Sequence, residues 1–171
     1  MQVFEYESRI DRQEKLRLCY IEVPGTVLDQ SKKPENKNKF SQRFLVSLNG
    51  HANFHGGVVS LGNDTGYITV QSSLLKKLDL HLGDTVQVRL SPDDSEYGME
   101  FPEELQEILR QDPEAEKRFN GLPMSKRRYI IVYVNQVKSS QKKIERAFLL
   151  LNNLKKLPVG NEEFRAMLGK E

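Results

Sequence analysis

The chain has little cysteine, no long apolar run and no large excess of charge of one sign. Its single cysteine, Cys19, excludes an intrachain disulfide framework. No segment approaches the roughly 18 apolar residues of a transmembrane helix, and the charged N-terminus lacks the apolar stretch of a signal peptide. The net charge of +2 provides no general attraction to nucleic acid or membranes. We therefore expect a cytoplasmic protein.

The small net charge conceals two neighbouring blocks of opposite sign. Between Asp93 and Glu116, ten carboxylates accompany Arg110 alone, and between Pro123 and Lys156, nine basic residues accompany Glu145 alone. Blocks this close in sequence either face each other or each face a partner. Much of the acidic block also suits helix starts, because prolines followed by carboxylates are favoured in a first helical turn.

Alternating apolar residues in the first half predict about six short strands and one short helix. Asn49-Gly50 lies between two such runs and is a strong hairpin signal, because both residues tolerate positive φ. The polar segment 29–39 is predicted to be a loop. A sheet of this size avoids exposed edges by closing on itself, so we expect a small closed β-barrel domain in residues 1–95.

In the second half, apolar residues recur every three or four positions, which predicts a three- or four-helix region in residues 96–171. The segment RRYIIVYVNQV has the composition of a strand, but Ile130, Tyr133, Val134 and Val137 have helical spacing, which favours a buried helix. In the last long helix, the inner face is predicted to contain Phe148. The expected fold class is therefore α+β.

Asp93, Asp94 and Glu96 form an acidic cluster between the two halves. As hard-cation ligands they lack the regular spacing and central glycine of a calcium loop. Turn and cap chemistry explains them better, although they are also candidates for attracting a cationic partner.

The basic candidates for partner binding all lie in the second half. They are Lys126, Arg127, Arg128, Lys138, Lys142, Lys143 and Arg146. Such a face is either solvated, docked against the acidic block, or open to an acidic partner such as nucleic acid, lipid headgroups or a protein. No aromatic residue is predicted within the exposed basic face, which disfavours a platform for stacking single-stranded bases.

The histidines do not predict a metal site. His51 and His55 are four residues apart, but on a strand this spacing separates their α-carbons by about 13 Å. No second pair of ligands accompanies them. With no catalytic constellation in the sequence, we predict no metal, no cofactor and no enzymatic activity.

Two segments carry a family resemblance. The run SLNGHANFHGG…GYITVQSSLLKKLDLHLGDTVQVRLSPDD resembles the small β-barrel found with the bacteriocin-protection (YdeI/OmpD-associated) family, and its LGDTVQV is similar to the double-split barrel of AbrB-type proteins. The run PEAEKRFNGLPMSKRRYIIVYVNQVKSSQKKIERAFLLL resembles the helical domain of the bacteriocin-protection family. It departs from that family at SSQKKIER, where members usually carry a threonine-arginine pair and further arginines.

The resemblance implies a non-enzymatic binding protein, linked to tolerance of bacteriocins or cationic antimicrobial peptides. It implies no reaction and no catalytic residues. The alternative is a nucleic-acid-binding protein that uses an AbrB-like barrel dimer or the basic C-terminal helices. Against the barrel dimer, the first 95 residues carry nearly equal numbers of basic and acidic side chains.

Overall fold

The alternating residues of the first half form eight strands in the computed structural model, which describes residues 2–51 and 53–170. The strands are β1 Phe4–Arg9, β2 Asp11–Gln13, β3 Leu18–Val23, β4 Arg43–Leu48, β5 Phe54–Gly57, β6 Val59–Gly62, β7 Thr65–Val70 and β8 Thr85–Pro92. Two short helices join them, α1 Gly25–Ser31 and α2 Ser72–Lys77. These elements belong to the first of two units of the chain, Met1–Gly98 and Met99–Glu171.

The strands form two antiparallel four-stranded sheets, ordered β1-β8-β4-β5 and β2-β3-β7-β6. Their inner faces carry the alternating buried residues that the sequence pattern predicted, such as Val86, Val88 and Leu90 on β8. Glycine at position 56 of β5 allows the backbone to lie close to Ile68 of the other sheet, since an added Cβ would be only 2.5 Å from the Ile68 side chain. The predicted hairpin turn at Asn49-Gly50 is confirmed, with φ of 50° and 75°.

The prediction of a closed barrel is wrong. Among the described residues both sheets are open, because β1 and β3 lie near each other without forming a backbone ladder. Side chains bridge this gap instead. The Tyr6 hydroxyl donates to the Glu22 carbonyl at 2.8 Å, and Ser8 Oγ accepts from the Glu22 amide at 3.1 Å. These bonds satisfy edge groups that a closed barrel would pair through the backbone.

Helix α1 lies partly within the segment that was predicted to be a loop. It begins after Pro24, ends at Ser31 and buries Leu28 in the core of the first unit. The remaining polar segment is held by Lys39, which forms ion pairs with Asp29 and Asp64. A single buried leucine in seven residues gives too weak a periodic signal to identify such a helix.

The second unit contains five helices within residues 99–170, rather than the three or four that were predicted. They are α3 Glu103–Gln111, α4 Pro113–Asn120, α5 Met124–Asn135, α6 Ser140–Lys156 and α7 Phe164–Met167. The helical prediction for Tyr129–Val134 is confirmed, because this segment lies inside α5. Helix α6 packs against the other four helices of the unit.

The core of the second unit consists of apolar residues from each helix, including Leu105, Phe119, Ile131, Leu151 and Met167. One predicted core residue is placed differently. Phe148 is 47% exposed, because the buried face of α6 is formed by Ala147, Leu150, Leu151 and Leu154. These residues all recur three or four positions apart, as expected for a single buried stripe.

Candidate functional site

Three polar residues meet near the end of β8, in the first unit. His55 Nδ1 lies 2.6 Å from Asp93 Oδ2, and the Asp93 side chain is only 1% exposed. The other carboxylate oxygen of Asp93 accepts from the Ser95 amide at 3.0 Å and from the Ser95 hydroxyl at 2.5 Å. Sequence reasoning considered both Asp93 and His55, but not their pairing across 38 residues.

The environment of Asp93 favours its charged form. Burial raises the pKa of this carboxyl, but the hydrogen bonds from His55 and Ser95 outweigh burial and lower the pKa below its ordinary value. Ser95 Oγ donates to the carboxylate, whereas a catalytic serine donates to the imidazole. The arrangement therefore orients the turn after β8, and it does not form a catalytic triad.

The two other acidic candidates have different surroundings. Asp94 forms an ion pair with Lys33 at 3.0 Å, and both side chains are 57% exposed. Glu96 is exposed and forms no ion pair with another described residue. The structure therefore does not bring Asp93, Asp94 and Glu96 together as three available carboxylates.

A groove of about 810 Å³ crosses the outer face of the β1-β8-β4-β5 sheet. Its charged residues Glu5 and Arg89 pair with each other at 3.8 Å. Ser47 also lines it and donates to the His51 carbonyl at 2.7 Å. Glu5, Arg89 and Ser47 therefore already have partners within the protein.

Two of the basic candidates stabilise helix ends in the second unit. Arg127 donates to the carbonyls of Asn120 and Leu122 near the end of α4. Arg146 donates to the Tyr133 carbonyl at 2.8 Å, near the end of α5. Cationic side chains are favourable at such carbonyls, because the C-terminal end of a helix carries partial negative charge.

The opposite-sign blocks meet at particular positions in the second unit. Lys155 Nζ lies 2.7 Å from Asp112 Oδ2. The pKa of Glu104 is lowered by a hydrogen bond from its own backbone amide, then by one from Ser140 and by the charge of Lys143. The hypothesis that the two blocks face each other therefore applies to Asp112 with Lys155 and to Glu104 with Lys143. Lys126 acts instead on Glu162, which lies outside the acidic block.

Three of the basic candidates have no such partner. Arg128, Lys138 and Lys142 form no side-chain hydrogen bond or ion pair within residues 2–51 and 53–170. Lys138 and Lys142 are also exposed, on either side of the α6 N-cap residue Ser139.

Sequence reasoning missed an aromatic row beside the basic residues. The rings of Tyr129 and Tyr133 are nearly parallel, with 7° between their planes and 6.3 Å between their centroids. Phe164 stacks on Tyr129 at 4.0 Å, and the Arg146 guanidinium lies 4.2 Å from the Tyr133 ring centre. The i, i+4 spacing of the two tyrosines is consistent with rings that lie side by side on one helix. The sequence pattern instead grouped Tyr133 with Ile130 and Val134 in a buried helix.

This helical segment matches a known protein family. Residues 98–156 match the family described as Bacteriocin-protection, YdeI or OmpD-Associated. The match supports the bacteriocin-protection family over about a third of the chain. It includes α3 to α6 and ends before α7. No curated protein matches the chain.

The matched segment contains every basic candidate, together with Tyr129 and Tyr133. Asp93, Asp94 and Glu96 precede it, and Phe164 follows it. The match does not extend to the N-terminal sheets, so it does not confirm the predicted double-split barrel type.

Two further observations concern metals and membranes. Within the described ranges, no group of three or more His, Cys, Asp or Glu side chains is placed to hold a metal ion. None of the helices in those ranges combines the length and apolar content needed to cross a membrane.

Proposed function

We propose that the chain is a non-enzymatic binding protein that contributes to tolerance of bacteriocins or cationic antimicrobial peptides. The observation that carries this proposal is the family match, which covers four of the five helices described in the second unit. The match suggests a function related to bacteriocin protection at the family level. The cationic-peptide partner and the cytoplasmic location belong to the proposal, and cell fractionation tests the location.

The carboxylates suited to a cationic partner lie on α3 and α4. Glu103, Glu114 and Glu116 are exposed and occupy the first turns of these helices. By contrast, Asp93 is buried beside His55, and Asp94 is paired with Lys33. The proposed attraction therefore depends on α3 and α4 more than on the acidic cluster after β8.

Titration of the intact chain with an amphipathic lysine-leucine peptide tests this proposal. Replacing Glu103, Glu114 and Glu116 by Gln is expected to weaken binding roughly tenfold at low salt, since exposed charges contribute about 0.5 kcal/mol each. The matched control replaces Glu14 and Glu35 by Gln and Asp79 by Asn, which removes the same charge from the first unit. Equal affinities for the two triple variants, or binding that salt does not affect, would contradict the proposal.

Nucleic-acid binding through the C-terminal helices is a second candidate, because the aromatic row lies beside unpaired basic residues. Lys142 precedes Arg146 by one helical turn on α6, and Arg146 covers one ring of the row. Nucleic-acid binding through an AbrB-like barrel dimer is not proposed, because both sheets are open among the described residues. A mobility-shift experiment with the intact chain at low salt tests this candidate, and no shift would remove it.

A further inference from the structure

The two tyrosines of α5 form a slot between parallel rings. Tyr129 and Tyr133 are one helical turn apart and both are partly exposed. Successive bases in a strand stack about 3.4 Å apart, so two rings on either side of one base are about 6.8 Å apart. The observed centroid separation of 6.3 Å is close to this value, and the 7° angle allows one planar group to lie parallel to both rings.

Two side chains, Phe164 and Arg146, lie against the tyrosine rings, and neither is in contact with both rings. Phe164 stacks on Tyr129 at 4.0 Å but makes no ring contact with Tyr133 among the described residues. Arg146 lies over Tyr133 and is fixed by its bond to the Tyr133 carbonyl. Since each neighbour contacts a single tyrosine, neither occupies the position between them.

The charge around the slot favours an anionic partner. Arg146 is in contact with the row, Lys142 lies one turn away, and Lys138 directly precedes the N-cap residue of α6. The acidic residues adjacent to this group in sequence are Glu145 and Glu163. Three cations against two carboxylates disfavour a guanidinium or another cationic guest. A nucleotide carries a neutral planar base and a charged phosphate, so it satisfies both the slot and the cations.

We propose that Tyr129 and Tyr133 stack an unpaired base of a single-stranded nucleic acid, while Lys138 and Lys142 contact its phosphates. This inference rests on the second candidate function and is independent of cationic-peptide binding. Aromatic stacking tolerates different bases, because every base has a π face. A duplex hides those faces within its own stack, so the single strand is the expected ligand.

Binding of a fluorescein-labelled oligothymidine to the intact chain tests the proposal. Tyr129→Leu or Tyr133→Leu is expected to weaken binding about tenfold, which is within the range for loss of one base-aromatic stack. Phenylalanine at the same positions retains the ring and is expected to retain affinity. Leucine at Tyr20, a partly exposed tyrosine of the first unit, is the matched control and should have no effect. An unlabelled duplex of the same length should compete poorly.

Tyrosine emission provides an independent readout, because the chain has six tyrosines and no tryptophan. Unlabelled oligothymidine should quench this emission in the wild type, and the quenching should decrease when Tyr129 and Tyr133 are leucine. Loss of affinity in Lys142→Gln but not in the leucine variants would overturn the stacking slot and leave nucleic-acid binding in place. Absence of any binding by the wild type at low salt would overturn both.

Discussion

At the scale of single residues, Asp93 has the most constrained surroundings of the predicted site residues. Its carboxylate is nearly inaccessible to water and accepts bonds from His55 and from two groups of Ser95. Ser95 Oγ in turn accepts from the Gly98 amide at 3.1 Å, so the bonds continue along the turn after β8. A buried carboxylate is stable only with such partners. We infer that Asp93 has a structural role at this position.

Replacing Asp93 by Asn is expected to destabilise the protein by about 1–3 kcal/mol, because the His55 and Ser95 donors lose their charged, buried acceptor. The free energy of unfolding, measured with urea at neutral pH, checks this. Asp94→Asn removes the neighbouring exposed ion pair and is the control, with an expected cost of less than about 1 kcal/mol. Equal losses in the two variants would contradict the structural role of Asp93.

The same residue predicts a pH dependence. The pKa of Asp93 is lower in the folded chain than in the unfolded chain, so the unfolded chain binds protons first as the pH falls. The stabilisation from Asp93 is therefore complete above the ordinary carboxyl pKa of about 4 and is lost at lower pH. The stability difference between wild type and Asp93→Asn should decrease as unfolding is measured from pH 7 down to about 3. A constant difference would contradict this assignment.

At the scale of secondary structure elements, the junction between α3 and α4 combines two interactions at one residue. Asp112 caps α4 by accepting from the Ala115 amide at 3.1 Å, and it also pairs with Lys155 of α6. Lys155 and then the Ala115 amide lower the pKa of the Asp112 carboxyl. The cap fixes where α4 begins, and the ion pair joins that beginning to α6.

Two substitutions at Asp112 separate these interactions. Asparagine caps a helix about as well as aspartate, so Asp112→Asn loses only the ion pair and should cost less than about 1 kcal/mol. Alanine loses the cap as well, and Asp112→Ala should cost about 1 kcal/mol more than the asparagine variant. Thermal or urea unfolding of both variants measures the difference. If Asn and Ala were equally destabilising, the side chain would not act as a cap.

At the scale of the whole molecule, local patterns predicted the elements but not their long-range arrangement. Alternation identified the paired faces of β4 and β8, and spacing identified α5 despite its β-branched residues. Whether β1 pairs with β3 depends on contacts between positions 16 and 14 residues apart, such as Tyr6 to Glu22 and Ser8 to Glu22. Such contacts have no periodic signature, so closure of the barrel was predicted incorrectly.

The candidate sites follow the same division between local and long-range information. The basic residues around α6 were identified from composition, because charge density is a local property. Their roles were not, since Arg127 and Arg146 are engaged with backbone carbonyls at helix ends. The stacking of Phe164 on Tyr129 joins residues 35 positions apart. Such a pairing depends on how the helices pack and has no local sequence signature.

The charge of the whole molecule makes a final prediction about the proposed nucleic-acid site. With a net charge of +2, the chain has little long-range attraction for a strand, and charges beyond about 10 Å are screened at 0.1 M salt. The two cations proposed to contact phosphates, Lys138 and Lys142, should therefore set the salt dependence of binding. For a single strand they predict a slope of about −1.4 in a plot of log association constant against log salt.

Lys142→Gln should make this slope shallower by about 0.7, because one phosphate contact is lost. Lys156→Gln removes the same charge from the far end of α6 and should leave the slope unchanged. A wild-type slope of about −5 would require cations from well outside the slot, and an equal effect of the two substitutions would show that position on α6 does not matter. Either result would contradict the assignment of the phosphate contacts to Lys138 and Lys142 beside the tyrosine slot.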